Sequence, residues 1–156
     1  MAMGNQLVIF TLDAQLYALP LASVHRVLHM VEVTPLPNAP EVVLGVIDLH
    51  GNIIPVMSMR KRFGRQEPEA SLSGQLIVAE TDTRRVALVV SSVTGVIERT
   101  VQEVTEAEKI VPGAPYLEGF FKLDDGIVFI HNVDRFLSKK EDQQLDNLLA
   151  RAAGRQ

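Results

Sequence analysis

The chain repeats itself at a nearly constant distance, and this repetition limits the possible folds more than any other feature of the sequence. Residues 75–97 align with residues 6–28 at an offset of 69 (75 minus 6), with eight identical pairs. Residues 119–137 align with residues 45–63 at an offset of 74 (119 minus 45). The repetition predicts two similarly built halves, each with a hairpin, a short amphipathic segment, a connector and a second hairpin. Chance similarity between β-rich apolar stretches is the alternative interpretation.

Turn residues divide each half into short strands. Asp13 and Ala14 separate two β-rich stretches between Gln6 and Leu21, which is the pattern of a hairpin. The turn His50-Gly51-Asn52 separates two further apolar runs in the same way. Many short strands with closely spaced turns predict a mainly β fold of small barrels or a sandwich.

Two segments have helical spacing. Val24, Val27 and Leu28 follow Ser23, a residue type that caps helices, and predict one short amphipathic helix. Near the C-terminus Ser138 and Glu141 have the spacing of a capping box, and the leucines that follow predict a helix over roughly residues 139–152.

The composition excludes several classes of protein. The chain has 156 residues, 47% of them apolar, which is enough to bury the core of one domain or of two small subdomains. It has no cysteine, so it forms no disulfide and no thiolate metal site. A net charge of −4 argues against binding to nucleic acid. The N-terminus lacks a secretory signal and no apolar run is long enough to span a bilayer, which together favour a cytoplasmic protein.

The common catalytic motifs are missing from the sequence. His25 and His29 lie four residues apart on the predicted helix, a spacing that can bring two imidazoles to one metal, so a metal-dependent enzyme is one alternative. A third ligand is not evident, and a solvated polar face is the simpler interpretation. His50 and His131 are each interpreted as surface residues.

The main basic cluster comprises Arg60, Lys61, Arg62 and Arg65. It could bind an acidic partner, which makes a stand-alone protein-binding regulator the second alternative. A solvated helix end is the simpler interpretation, because the cluster has no interleaved aromatic residues.

Two apolar triplets occupy equivalent places in the two halves. Val24, Val27 and Leu28 correspond to Val93, Val96 and Ile97 at the offset of 69. Their spacing fits either a surface for partners or a core face, and the pattern alone does not decide between these.

Residues 45–64, GVIDLHGNIIPVMSMRKRFG, resemble the CheW family of adaptors, which couple chemoreceptors to the histidine kinase CheA. Further segments match that family in order along about residues 6–152, namely QLVIFTLDAQLYALPLASVHRV, RRVALVVSSVTGV, YLEGFFKLDDGIVFIHNVDRFL and the C-terminal helix.

The resemblance implies one CheW-like domain over residues 6–152. It would contain two SH3-like, five-stranded β-barrel subdomains around a shared core, roughly residues 6–66 and 75–137, with short connecting helices and the C-terminal helix over residues 139–152.

The resemblance also implies a non-enzymatic adaptor without a cofactor or metal. It would be cytoplasmic, recruited to receptor arrays at the membrane without inserting into it. The cytoplasmic tip of a methyl-accepting receptor would bind between the subdomains, and the regulatory domain of a CheA-type kinase would bind around Arg26, Gly45 and the exposed barrel edges. The implied receptor-binding positions are Val24, Val27, His50, Val93 and Val96.

Four positions depart from the family pattern. His50 replaces an arginine and Arg26 stands where glutamate is frequent, while Ser58 and Ser91 stand where aspartate is frequent. Because a change from Glu to Arg reverses the charge that a partner must complement, these positions affect the choice of partner more than the fold.

Overall fold

The structure, a computed structural model, describes residues 6–67, 74–106, 116–124 and 126–154. Its strands and helices follow in chain order: β1 (Gln6–Leu12), β2 (Gln15–Pro20), β3 (Val24–His29), β4 (Val43–Leu49), β5 (Asn52–Met57), α1 (Met59–Arg62), β6 (Gln75–Glu80), β7 (Arg85–Val90), β8 (Ser92–Glu98), β9 (Thr105–Glu106), β10 (Leu117–Leu123), β11 (Gly126–His131) and α2 (Lys139–Gly154). The predicted mainly β fold with a C-terminal helix is confirmed.

The strands of the described residues form two sheets, and each sheet takes strands from both halves of the chain. Sheet A has six strands in the order β8-β1-β2-β11-β10-β9. Sheet B has five strands in the order β3-β6-β7-β5-β4. Each sheet therefore combines strands from both predicted subdomains, residues 6–66 and 75–137, rather than from one of them.

Exchange of one strand between the halves explains this difference. β3 leaves β2 and pairs with β6 of the second half, while β8 leaves β7 and pairs with β1 of the first half. The chain after β3 then reaches the opposite edge of sheet B, where Thr34 and Val46 exchange hydrogen bonds of 2.9 and 2.8 Å. This bridge closes sheet B as a barrel, and β9 beside β10 closes sheet A in the same way.

Equivalent residues of the two halves pair in the same register, which rejects chance similarity as the origin of the repetition. Val24 is opposite Ala79 in one sheet, and Val93 is opposite Phe10 in the other. Both pairs obey the offset of 69. The parallel pairings also correspond, because Val56 lies opposite Ala87 in sheet B and Ile130 lies opposite Ala18 in sheet A. Ile130 follows Val56 by the offset of 74, and Ala87 follows Ala18 by the offset of 69.

The side chains of the central strands are buried on both faces. In β7, Ala87 and Val89 point into the interior of sheet B, whereas Val86, Leu88 and Val90 point into a cluster shared by the two sheets. A separate cluster that includes Ile9 fills the interior of sheet A. Burial on both faces explains why these strands read as continuous apolar runs rather than as alternating patterns. The predicted shared core is confirmed.

The helix predicted from Ser23 is wrong, because residues 24–29 form the strand β3. A bulge between Val24 and Arg26 inserts His25 as an extra residue. The extra residue turns Val24 and Val27 to the same face of the strand, although three-residue spacing in a regular strand gives opposite faces. The bulge therefore reproduces the apolar spacing of a helix.

The C-terminal helix matches its prediction. The backbone N–H of Ser138 donates to the Glu141 carboxylate at 2.9 Å, and the N–H of Glu141 donates to the Ser138 hydroxyl at 3.1 Å. Leu145 is fully buried in the shared cluster, and Arg84 forms ion pairs with Asp142 and Asp146. Apolar packing and these ion pairs fix α2 against the sheets.

His131 is buried, so its interpretation as a surface residue is wrong. Its side chain is 2% exposed and lies against the rings of Tyr17, Phe63 and Tyr116, at centroid distances of 5.1, 5.6 and 5.7 Å. Neither ring nitrogen has a hydrogen-bond partner among the described residues. Burial lowers the pKa of His131 to about 4, because the charged imidazolium would lose its hydration.

The exchanged strands predict that neither half folds alone. A fragment of residues 1–66 contains β1 without β8 and β3 without β6, so most of its apolar surface has no partner. We expect fragments 1–66 and 75–156 to show no cooperative thermal transition separately and to regain one when mixed. A cooperative transition measured by circular dichroism on fragment 1–66 alone would contradict the exchange.

The buried His131 predicts that stability falls in mild acid. Below its ordinary pKa of 6.5 the unfolded chain binds a proton that the folded chain excludes down to about pH 4. The free energy of unfolding should therefore be complete above pH 6.5 and should fall, by at most about 3 kcal/mol, as the pH drops towards 4.

Urea unfolding of the wild type and of His131→Phe, at about pH 7.5 and about pH 4.5, measures this contribution. The variant keeps a ring in the cluster and should lose about this part of the pH dependence. The exposed His50→Asn is the matched control. An equal loss of stability in acid for the wild type and His131→Phe would show that His131 is not responsible.

Candidate partner-binding site

The exchanged strands β3 and β8 are the edge strands of their sheets, and they lie at the junction between the two sheets. Both are mostly exposed or half-buried along their length, whereas β6 and β7 are almost fully buried. Gln75 connects the two strands, since it lies opposite His29 in the ladder and its side chain contacts Val93. The junction is therefore lined by one strand from each half of the sequence.

Four valines of these strands share one face. We call Val24, Val27, Val93 and Val96 the valine surface. The bulge at His25 turns Val24 and Val27 towards the junction, and a second bulge, at Thr94, does the same for Val93 and Val96. The structure thus places two of the five predicted receptor-binding residues, Val24 and Val93, against the same apolar cluster.

Exposure differs within the valine surface. Val24 and Val93 are half-buried and pack against the shared apolar cluster. Val27 is 38% exposed and Val96 is 50% exposed. The first two valines anchor the surface to the core, and the other two are accessible to a partner.

Sequence reasoning missed two exposed apolar residues that flank β3. Leu21 lies in the 3₁₀ turn before β3 and is 36% exposed, and Val31 follows the strand and is 44% exposed. Their equivalents at the offset of 69 are Val90 and Thr100, of which Val90 is buried in β7. The internal repetition therefore did not indicate that Leu21 and Val31 belong to this surface. Only their exposure in the structure indicates it.

His50, the fifth predicted receptor-binding residue, lies apart from the valine surface in strand order. It occupies the β4–β5 turn with a φ of 53°, next to Gly51, whose N–H donates to Asp48 at 2.8 Å. His50 therefore lies on a turn of sheet B and not on either exchanged strand.

Arg26 and Gly45, the predicted kinase-binding residues, have different environments. Arg26 is exposed and points to the face of β3 opposite to Val27. Gly45 is buried, and a Cβ atom at this position would collide with the backbone carbonyl of Thr34. A side chain at Gly45 would therefore disturb the bridge that closes sheet B.

The three arginines of the basic cluster form ion pairs within the molecule. Arg60 donates to Asp13 at 2.7 and 2.9 Å and to Glu67 at 2.6 Å, and Arg62 donates to Glu141 at 2.5 Å. The hydrogen bond from Arg60 holds the pKa of Asp13 below its ordinary value, and the same bond raises the pKa of Arg60. The interpretation of this cluster as a solvated helix end is wrong, because its arginines join α1 to the β1–β2 turn and to α2.

Ser58, one of the departures from the family pattern, belongs to the same network. Its hydroxyl accepts from the N–H of Lys61 at 3.1 Å and donates to Glu67 at 2.6 Å. An aspartate here could cap α1 but could not donate to Glu67 when ionised. Ser58 is fully buried, so its effect is on packing rather than on a partner.

The geometry does not support the proposed pair of histidine ligands. His25 and His29 lie on the strand β3, where four residues span about 13 Å, too far for two imidazoles to share one metal. His25 faces Glu80 at 4.0 Å. No group of three metal-ligating side chains occurs in the described ranges.

Helix α2 is the longest helix in the part of the chain that the structure describes, and it lies on the shared core. No described helix combines the length and the apolarity needed to cross a bilayer. The site is an apolar edge between two sheets, and β3 also carries one exposed charged residue, Arg26.

Comparison with known proteins agrees with this architecture. Proteins named chemotaxis protein CheW from Klebsiella aerogenes and from Treponema pallidum are each 26% identical to this chain. The first alignment covers 93% of this chain and 89% of the relative, and the second covers 92% and 88%.

A solved structure has the same fold. The scaffolding protein TtCheW from Thermoanaerobacter tengcongensis superposes with a TM-score of 0.79 at 29% identity, over 89% of this chain and 96% of that chain. The family model of the CheW-like domain matches residues 6–141. On this evidence the chain belongs to the CheW-like family.

Proposed function

We propose that this protein is an adaptor that couples methyl-accepting chemoreceptors to a CheA-type histidine kinase. The observation that carries the proposal is the valine surface, an accessible apolar strip built from both halves of a CheW-like chain. Exposed apolar residues that cluster at one place are typical of a surface that a partner covers.

The receptor is proposed to bind on the valine surface. Val27 and Val96 would contact an apolar face of the helical receptor tip, while Val24 and Val93 support them from the core. His50 would contact the receptor from the β4–β5 turn. Since receptor tips of this class face the cytoplasm, the adaptor would work there, recruited to receptor arrays.

The kinase is proposed to bind at Arg26, the exposed charged residue of β3. Arg26 offers an exposed positive charge next to Val27, so one strand would serve two partners. Gly45 would act indirectly, through the closed edge between Thr34 and β4. The regulatory domain of the kinase would complement Arg26 with an acidic group.

The alternative functions have less support. A metal-dependent enzyme would need His25 and His29 at one metal, which their separation along β3 disfavours. A regulator that binds acidic partners through residues 60–65 would have to break the ion pairs of Arg60 and Arg62. We therefore propose a protein without catalytic activity or cofactor.

A reconstituted signalling complex tests this function. The components are the soluble cytoplasmic fragment of a chemoreceptor and a CheA-type kinase, both from the organism that encodes this chain. Kinase autophosphorylation should depend on the receptor fragment only when the adaptor is present. The proposed function would be rejected if the autophosphorylation rate of the kinase were the same with and without saturating adaptor.

In this assay Val96→Asp should abolish coupling to the receptor without unfolding the protein. The side chain is half-exposed, so the new carboxylate keeps its hydration in the free protein but loses it under a receptor. Ile127→Asp is the matched control, because Ile127 is 44% exposed on β11, away from the junction. Equal coupling by Val96→Asp and Ile127→Asp would place the receptor elsewhere.

Reversing the charge at Arg26 should affect the kinase and not the receptor. We expect Arg26→Glu to weaken binding of the cognate regulatory domain roughly tenfold, with a smaller effect at high salt. Arg135→Glu provides an exposed control for net charge. Titration calorimetry with each partner measures both affinities, and a loss of receptor binding in Arg26→Glu would contradict the separation of the two proposed sites.

A further inference from the structure

The two halves differ in how they satisfy the first N–H of the valine surface. In the first half the N–H of Val24 donates to the carbonyl of Leu21, within the 3₁₀ turn that leads into β3. In the second half the N–H of Val93 donates to the side-chain Oε1 of Gln75, at 2.7 Å. Equivalent valines are therefore held by a local turn in one strand and by a distant side chain in the other.

The cause lies in the two crossings between the sheets. Residues 21–23 form the 3₁₀ turn between β2 and β3, whereas Ser91 alone separates β7 from β8. Val90 and Ser92, the equivalents of Leu21 and Ser23, belong to β7 and β8, so the second crossing contains no 3₁₀ turn whose carbonyl accepts from Val93. Gln75 replaces that acceptor from the beginning of β6.

Gln75 is well placed to fix the junction. Its backbone lies opposite His29 of β3 and opposite Val90 of β7, while its side chain reaches Val93 at the start of β8. One residue therefore contacts both strands that carry the valine surface. Gln6, its equivalent at the offset of 69, is exposed, lies opposite Glu98 and makes no such side-chain contact among the described residues.

We propose that Gln75 is a positioning residue that holds β8 against β3 and thereby sets the separation between Val27 and Val96. This inference rests on the proposed receptor site, since it concerns the width of that site. The hydrogen bond also satisfies a backbone donor near the core, and its loss would leave β8 attached through β1 alone at this end.

Distance measurement between spin labels tests the positioning directly. The chain has no cysteine, so labels attach only to cysteines introduced at the exposed Val27 and Val96. We expect a narrow distance distribution for this labelled protein and a broader or shifted one after Gln75→Ala. Gln75→Glu keeps an oxygen acceptor and should restore the narrow distribution, while Gln6→Ala should leave it unchanged.

Two results of the distance measurement would overturn the inference. One is the same label distribution for Gln75→Ala and the unsubstituted labelled protein. The other is a Gln75→Glu distribution as broad as that of Gln75→Ala, since this would show that the acceptor is not what matters.

Binding of the receptor fragment to unlabelled protein gives the functional readout. Loss of one hydrogen bond to a backbone donor should make Gln75→Ala roughly fivefold weaker, with recovery in Gln75→Glu. Unchanged binding by Gln75→Ala, where Val96→Asp abolishes it, would overturn the positioning role. If Val96→Asp itself binds normally, the proposed receptor site fails and the label distances alone decide whether Gln75 positions β8.

Discussion

A one-residue bulge in each of two exchanged strands governs the arrangement of the rest of the molecule. The extra residue is His25 in β3 and Thr94 in β8. Each bulge turns two valines, three residues apart, to the same face, so the strand can pack on the shared core and still present an apolar side chain to solvent. Without the bulge Val27 and Val96 would point to the opposite face of their strands.

Exchange of these strands also makes the proposed receptor site a property of the whole chain. Each barrel obtains its edge strand from the other half, and the edge strands meet at the shared cluster. A surface built in this way exists only when both barrels are folded. Val24 and Val93 pack on the shared core and also belong to the proposed receptor site. Changes at these two valines should therefore affect both stability and receptor binding.

Local patterns in the sequence predicted the hairpins, the repetition and the C-terminal helix, because turn residues and the capping box act within a few residues. The strand β3 was predicted as a helix, because its bulge reproduces the apolar spacing of a helix. Long-range contacts were also beyond prediction from one sequence. The burial of His131 depends on rings of β2, of the segment after α1 and of Tyr116, and the neutralisation of Arg62 depends on Glu141 in α2.

The central claim is that β3 and β8 together receive the receptor while the exposed Arg26 of β3 remains accessible to the kinase. Backbone amide chemical shifts, followed by NMR during titration with the receptor fragment and then with the kinase regulatory domain, test it most directly. We expect the receptor fragment to perturb residues 24–29 and 92–98 together, and the kinase domain then to add perturbations around Arg26 without displacing the receptor. Receptor perturbations confined to one strand, or displacement of the receptor by the kinase domain, would contradict the account.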